Sequence, residues 1–173
     1  MRPKANRGKL ETGNMRIAII VSRWNDFLTS RLADGAIDAL KSLGANEEFV
    51  EVFQVPGAFE LPGASKKIAE SGRFDAIVAL GVVIRGETPH FDLVAGEAAK
   101  GIAQVSLQTG VPVTFGVVTA NTVEQAVDRC GLKSGNKGYE AAMAAVEMAN
   151  LYREIDAAND GSGLKKKAVP NVA

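Results

Sequence analysis

The sequence predicts an α/β domain in which a parallel sheet of four strands is covered by helices on both faces. Three observations carry that expectation. Short Ile/Val-rich runs bounded by Gly, Pro or Asn recur along the chain, as strands buried on both faces require. Stretches with apolar residues at helical spacing separate them. The two signals alternate in the order βαβαβαβαα, which implies parallel strands joined by right-handed crossovers.

Each element has its own justification. The first strand is Arg16 to Ser22 (RIAIIVS), a continuous apolar run. Leu28, Leu32, Ala36, Ala39, Leu40 and Leu43 then fall on one helical stripe. Glu48 to Val55 (EFVEVFQV) alternates more and reads as the second strand, followed by a helix around Leu61 to Glu70. Ala76 to Leu80 (AIVAL) is the third strand, with a helix behind it carrying Phe91, Val94, Ala95, Ala98, Ile102 and Val105 on one side. Val113 to Val118 is the fourth strand, and a short helix from Thr122 to Arg129 follows. Tyr139, Ala142, Met143, Val146 and Ala149 mark the last helix. Residues 15–155 are thus one domain. Residues 1–14 lack a buried pattern and are expected as a segment that can order on a neighbouring subunit. Residues 156–173 (DAANDGSGLKKKAVPNVA) are polar and aperiodic, so a disordered tail is expected, with its LKKK run solvated.

Composition narrows the function classes. The chain has 173 residues, 46% hydrophobic and 23% charged, with formal net charge zero. That is enough for one buried core, and it gives no electrostatic case for nucleic acid or an anionic membrane. No apolar run approaches the roughly 20 residues needed to cross a bilayer. The first residues lack the apolar core of a secretory signal, so a cytoplasmic location is expected. Cys130 and His90 are the single cysteine and histidine, which speaks against a disulfide framework and a protein metal site.

In open parallel sheets, ligands bind beyond the carboxyl ends of the strands, where the strand order reverses. The unusual sequence clusters there: Arg23-Trp24-Asn25-Asp26, then Pro56 to Pro62 (PGAFELP), then Gly81 to His90. A strand order of 2-1-3-4 brings all three segments around one crevice. In GETPH, Thr88 reads as an N-cap and Pro89 as the first helical residue, leaving unpaired N–H groups that favour a phosphate or carboxylate. His90 sits in that first turn, and an imidazole, with its ordinary pKa of about 6.5, suits proton transfer near neutrality. The charge of Glu87 would oppose a bound phosphate unless it turns to solvent. Trp24 and Phe59 could sandwich a planar heterocycle, although core packing is an alternative for each. Glu60 could accept hydrogen bonds from hydroxyls. Arg129 closes its helix about 12 Å from the strand ends, at 1.5 Å per residue. It could complement the helix C-terminus or reach the crevice of a neighbouring subunit.

VPGAFELP, ALGVVIRGETPHFDLVAGEAAKGIA, GVPVTFGVVTANTVEQAVDR and GNKGYEAAMAAVEMANL together resemble the lumazine synthase family over roughly Met15 to Arg153. The resemblance implies a three-layer flavodoxin-like fold, assembly as pentamers or as an icosahedral shell of sixty subunits, and active sites between subunits. It implies condensation of 5-amino-6-(D-ribitylamino)uracil with 3,4-dihydroxy-2-butanone 4-phosphate to 6,7-dimethyl-8-ribityllumazine, the penultimate step of riboflavin biosynthesis. No cofactor or metal is implied, and riboflavin synthase is an expected partner. By the same resemblance, Trp24 stacks on the pyrimidine where most members have Phe, and Ala58, Phe59 and Glu60 hold the ribityl chain and ring edge. Val82, Val83 and Ile84 meet the uracil through backbone groups, and Phe115 covers the ring from across the interface. Glu87 and Thr88 bind the butanone phosphate by their N–H groups, with Arg129 of a neighbour and Lys133 near it. His90 matches the proton-transfer residue.

Overall fold

The computed structural model describes residues 3–133 and 135–161. Strands β1 (Ile17–Ser22), β2 (Val50–Val55), β3 (Ala76–Ile84) and β4 (Val113–Ala120) form one parallel sheet in the order β2-β1-β3-β4. The connections are α1 (Asp26–Ser42), α2 (Leu61–Glu70) and α3 (His90–Thr109), and α4 (Val123–Arg129) and α5 (Lys137–Gly161) follow β4. The expected fold class, element order and strand order all hold.

Pleating divides the core in two. Ile17, Ile19 and Val21 of β1, with Ala76, Val78 and Leu80 of β3, face α1 and α5. Ala18 and Ile20, with Ile77, Ala79 and Val83, face α2 and α3. Both central strands are therefore apolar on both sides, which is why they read as unbroken hydrophobic runs rather than alternating ones. Two glycines set the helix spacing. A Cβ at Gly101 of α3 would lie 2.6 Å from the Pro62 Cβ, and one at Gly138 of α5 would lie 1.9 Å from the Leu32 carbonyl oxygen. Only glycine permits those approaches, so α3 is seated against α2 at a fixed distance.

The boundaries differ from expectation where hydrogen bonding overrides pattern. β3 continues to Ile84 because Val82 to Ile84 pair with Val118 to Ala120 of a β4 that is itself longer than expected. β2 starts late because the Asn46 side chain accepts from the Glu48 N–H (3.1 Å), turning Glu47–Phe49 into a 3-10 turn. α5 runs to Gly161, past the expected tail boundary at Ile155; the LKKK run lies outside the described residues. At the other end, residues 7–11 lie along their own α5. Arg7 Nε donates to Glu147 Oε1 (2.6 Å), and Asn150 Nδ2 donates to the carbonyls of Lys9 (2.7 Å) and Glu11 (2.9 Å). Among the described residues no helix is long and apolar enough to cross a membrane.

Candidate active site

Beyond the carboxyl ends of β1, β2 and β3, the three following segments surround an open cavity of about 780 Å³. The first segment turns through Asn25, whose φ of 62° is the one positive value outside glycine among the described residues. Asn tolerates this left-handed conformation better than most residues. Its Nδ2 donates to the Val82 carbonyl (3.1 Å), tying the first segment to the end of β3 and leaving Trp24 presented to solvent and cavity, 73% exposed.

The second segment is a 3-10 turn, Ala58–Glu60. Glu60 Oε2 accepts from the Gly57 N–H (2.9 Å), so part of this carboxylate holds its own loop while the side chain still lines the cavity. Ala58 is buried beneath the turn and Phe59 stands 59% exposed at the cavity wall.

The third segment leaves β3 at Ile84 and enters α3. Here the helix begins one residue later than the sequence suggests: Pro89 is the cap, with φ −62° and ψ −4°, and no side chain caps the turn. Its carbonyl accepts from Asp92 N–H (3.0 Å) and Leu93 N–H (3.4 Å), so a residue already locked near helical φ closes the first turn without the Thr88 hydroxyl. Consequently the amides of Glu87, Thr88, His90 and Phe91 have no hydrogen-bond partner among the described residues. Free N–H groups at a helix start make a concentrated donor set for an anion. His90 is exposed in that turn and lines the cavity.

Of the residues singled out in the sequence, Trp24, Ala58, Phe59, Glu60, Val82, Val83, Ile84, Thr88 and His90 all line this cavity. Glu87 is exposed and does not line it. Phe115 lies on β4, an edge strand, 44% exposed and outside the lining. Arg129 is likewise outside: Nη1 donates to the Gln125 carbonyl (2.8 Å) of its own helix and the side chain is exposed. Lys133 is exposed and pairs with Asp128 (3.4 Å). Beyond the segments that the sequence places at the crevice, Phe91, Leu93 and Val94 also line the cavity. The last two follow His90 by three and four residues, so helical spacing from the histidine would have found them. Cys130 is buried, and burial pushes its thiol up to about 11, which removes it as a nucleophile near neutrality. No group of three or more His, Cys, Asp or Glu among the described residues is arranged to hold a metal ion.

The arrangement can hold a planar ring between aromatic faces, hydroxyls against Glu60 and an anion at the α3 start, with an imidazole beside all three. Comparison with known proteins identifies the chains that this one is similar to. The family model for 6,7-dimethyl-8-ribityllumazine synthase matches residues 14–153. The 6,7-dimethyl-8-ribityllumazine synthase of Chlorobium chlorochromatii is 55% identical over 148 residues, covering 86% of this chain and 96% of its own length. Those of Chlorobium limicola and Pelodictyon phaeoclathratiforme are 55% and 54% identical over 155 residues, each covering 90% of this chain and 100% of its own length.

Proposed function

The chain belongs to the 6,7-dimethyl-8-ribityllumazine synthase family, and from that premise we propose which residues carry its reaction. The activity is that of the family: condensation of 5-amino-6-(D-ribitylamino)uracil with 3,4-dihydroxy-2-butanone 4-phosphate in riboflavin biosynthesis. Trp24 and Phe59 flank the pyrimidine, and Glu60 accepts from the ribityl hydroxyls with the oxygen that does not hold Gly57. The backbone of Val82 to Ile84 reads the uracil edge. The phosphate of the second substrate lies against the free amides of Glu87 and Thr88. His90 moves protons as the amine and ketone form an imine, as phosphate leaves by elimination, and as the ring closes with loss of water.

Arg129 and Phe115 act across a subunit boundary in this reading, with Lys133 near the phosphate. Its support is that neither Arg129 nor Phe115 lines its own chain's cavity, although both are exposed. Further apolar exposure, Leu107 at 85% and Leu132 at 50%, supports a homo-oligomer. We assign pentamers, assembled into a sixty-subunit shell that could receive riboflavin synthase, in the cytoplasm. A sedimenting species no larger than a pentamer or decamer overturns the shell.

The single observation that carries the residue assignment is the convergence of His90, the uncapped α3 start and the two aromatics on one cavity. Incubating the protein with both substrates and following lumazine fluorescence tests it. His90→Ala is expected to lower kcat by about 10²- to 10⁴-fold while leaving measurable turnover, because holding two substrates in register supplies much of the acceleration. Unchanged kcat in a folded His90→Ala protein overturns the assignment.

A further inference from the structure

Arg85 immediately follows β3 and Asp92 lies in the first turn of α3. Neither lines the cavity, yet the two meet around the segment that forms its anion-facing wall. Arg85 Nη1 donates to Asp92 Oδ2 (3.0 Å) and Nη2 to Asp92 Oδ1 (2.8 Å), a two-point fork. Arg85 Nε donates to Asn121 Oδ1 (3.1 Å), in the turn between β4 and α4. The guanidinium carbon stands 4.1 Å from the centroid of the Phe91 ring, and Phe91 does line the cavity. One side chain thus ties the end of β3, the start of α3 and the β4–α4 turn.

The segment between needs such a tie. Among the described residues no side-chain hydrogen bond involves residues 86–91, and the free amides there cannot both anchor the loop and receive a ligand. The loop is held at its ends, by Arg85 N–H to the Ala120 carbonyl (2.9 Å) and by Asp92 N–H to the Pro89 carbonyl (3.0 Å), and across its mouth by the Arg85–Asp92 pair. We propose that the Arg85–Asp92 pair is a strap that fixes the amides of residues 87 and 88 and the ring of His90 for the phosphorylated substrate. Both are positioning residues, acting through the loop they span, and the proposal rests on the active-site reading above. Arginine is required rather than any cation: lysine offers neither the planar fork nor the stacking on Phe91. Both side chains are well exposed, at 41% and 62%, so the pair adds little to global stability and its loss is felt locally.

The test is steady-state kinetics with each substrate varied in turn, for Asp92→Asn, Arg85→Lys, their double variant, Asp92→Glu and His90→Ala. Asp92→Asn and Arg85→Lys are expected to raise the KM for the butanone phosphate about tenfold, a misplacement effect, with the pyrimidine KM and the thermal midpoint little moved. The double variant is no worse than either single one, and Asp92→Glu restores most of the affinity. Two results overturn the strap: a butanone phosphate KM within about twofold of the parent in both single variants, or a loss that tracks a lowered midpoint and that Glu does not relieve. If His90→Ala also turns over normally, the active-site reading itself has failed; if only the strap variants are silent, the strap alone has.

Discussion

Two helices of this domain begin in opposite ways. α4 is closed: Thr122 Oγ1 accepts from the Gln125 N–H (3.3 Å), and Gln125 Oε1 accepts from the Asn121 N–H (2.9 Å), so side chains satisfy donors at both sides of the turn. α3 is open: its cap is Pro89, no side chain serves it, and Thr88, His90 and Phe91 around its start line the cavity. Both starts follow a strand of the same sheet and both carry a threonine beside the first turn. The difference teaches that a helix start can serve the stability of the fold or the binding of a ligand, and that donors committed to one use are lost to the other.

The largest effect should come from closing α3 deliberately. Pro89→Asp supplies a carboxylate at the cap position, which accepts from the amides of the first turn and opposes a phosphate by charge. Its kcat/KM for the butanone phosphate is expected to fall roughly a hundredfold, on the order of 2–3 kcal/mol, while the thermal midpoint holds or rises. Pro89→Ala, which adds no acceptor, keeps most of the affinity. Equal losses in the two variants would show that the amides do not bind the anion.

A smaller effect comes from opening α4. Thr122→Ala removes a real cap and should cost about 1 kcal/mol, or about 2–4 °C in thermal midpoint, with turnover per folded enzyme unchanged. Thr88→Ala, at the start that looks capped in sequence, should change stability by less than about 0.5 kcal/mol. Should the two threonines prove equally important to the midpoint, the contrast between the helices collapses.

The same contrast marks what was legible in the sequence. The fold was open to reading because both central strands are buried on both faces, so Ile17 to Val21 and Ala76 to Leu80 announce themselves without any tertiary information. Most of the cavity wall was open too, because strand order 2-1-3-4 forces the first three connections together. The start of α3 was less so. Thr88-Pro89 carries the residue types of a cap followed by a first helical position, and only the geometry shows that Pro89 takes the cap role itself. The role of Asn25 within its segment escaped because a left-handed residue is set by where the chain must turn, and its bond to Val82 crosses 57 positions. The Arg85–Asp92 fork escaped because sequence spacing across an irregular loop says nothing about which side chains meet.

The smallest effect separates the two first-turn carboxylates. Asp92 in α3 is held below the ordinary carboxylate range first by its hydrogen bond from Arg85, against an opposing effect of desolvation that exceeds the further lowering by that residue's charge. Glu124 in α4 is lowered first by its backbone N–H and then by the Thr122 hydroxyl. In both cases the folded pKa lies below the unfolded one. The associated stability is therefore fully present above the unfolded value of about 4 and fades as pH falls through the depressed one. Neither group accounts for changes in activity around neutral pH. Carboxyl NMR titration should place Asp92 higher in Arg85→Lys with Glu124 unmoved, and Glu124 higher in Thr122→Ala with Asp92 unmoved. If either variant shifts both carboxylates, the two helix starts are coupled through the Asn121 turn, and α3 cannot be treated as a site independent of the capped helix beside it.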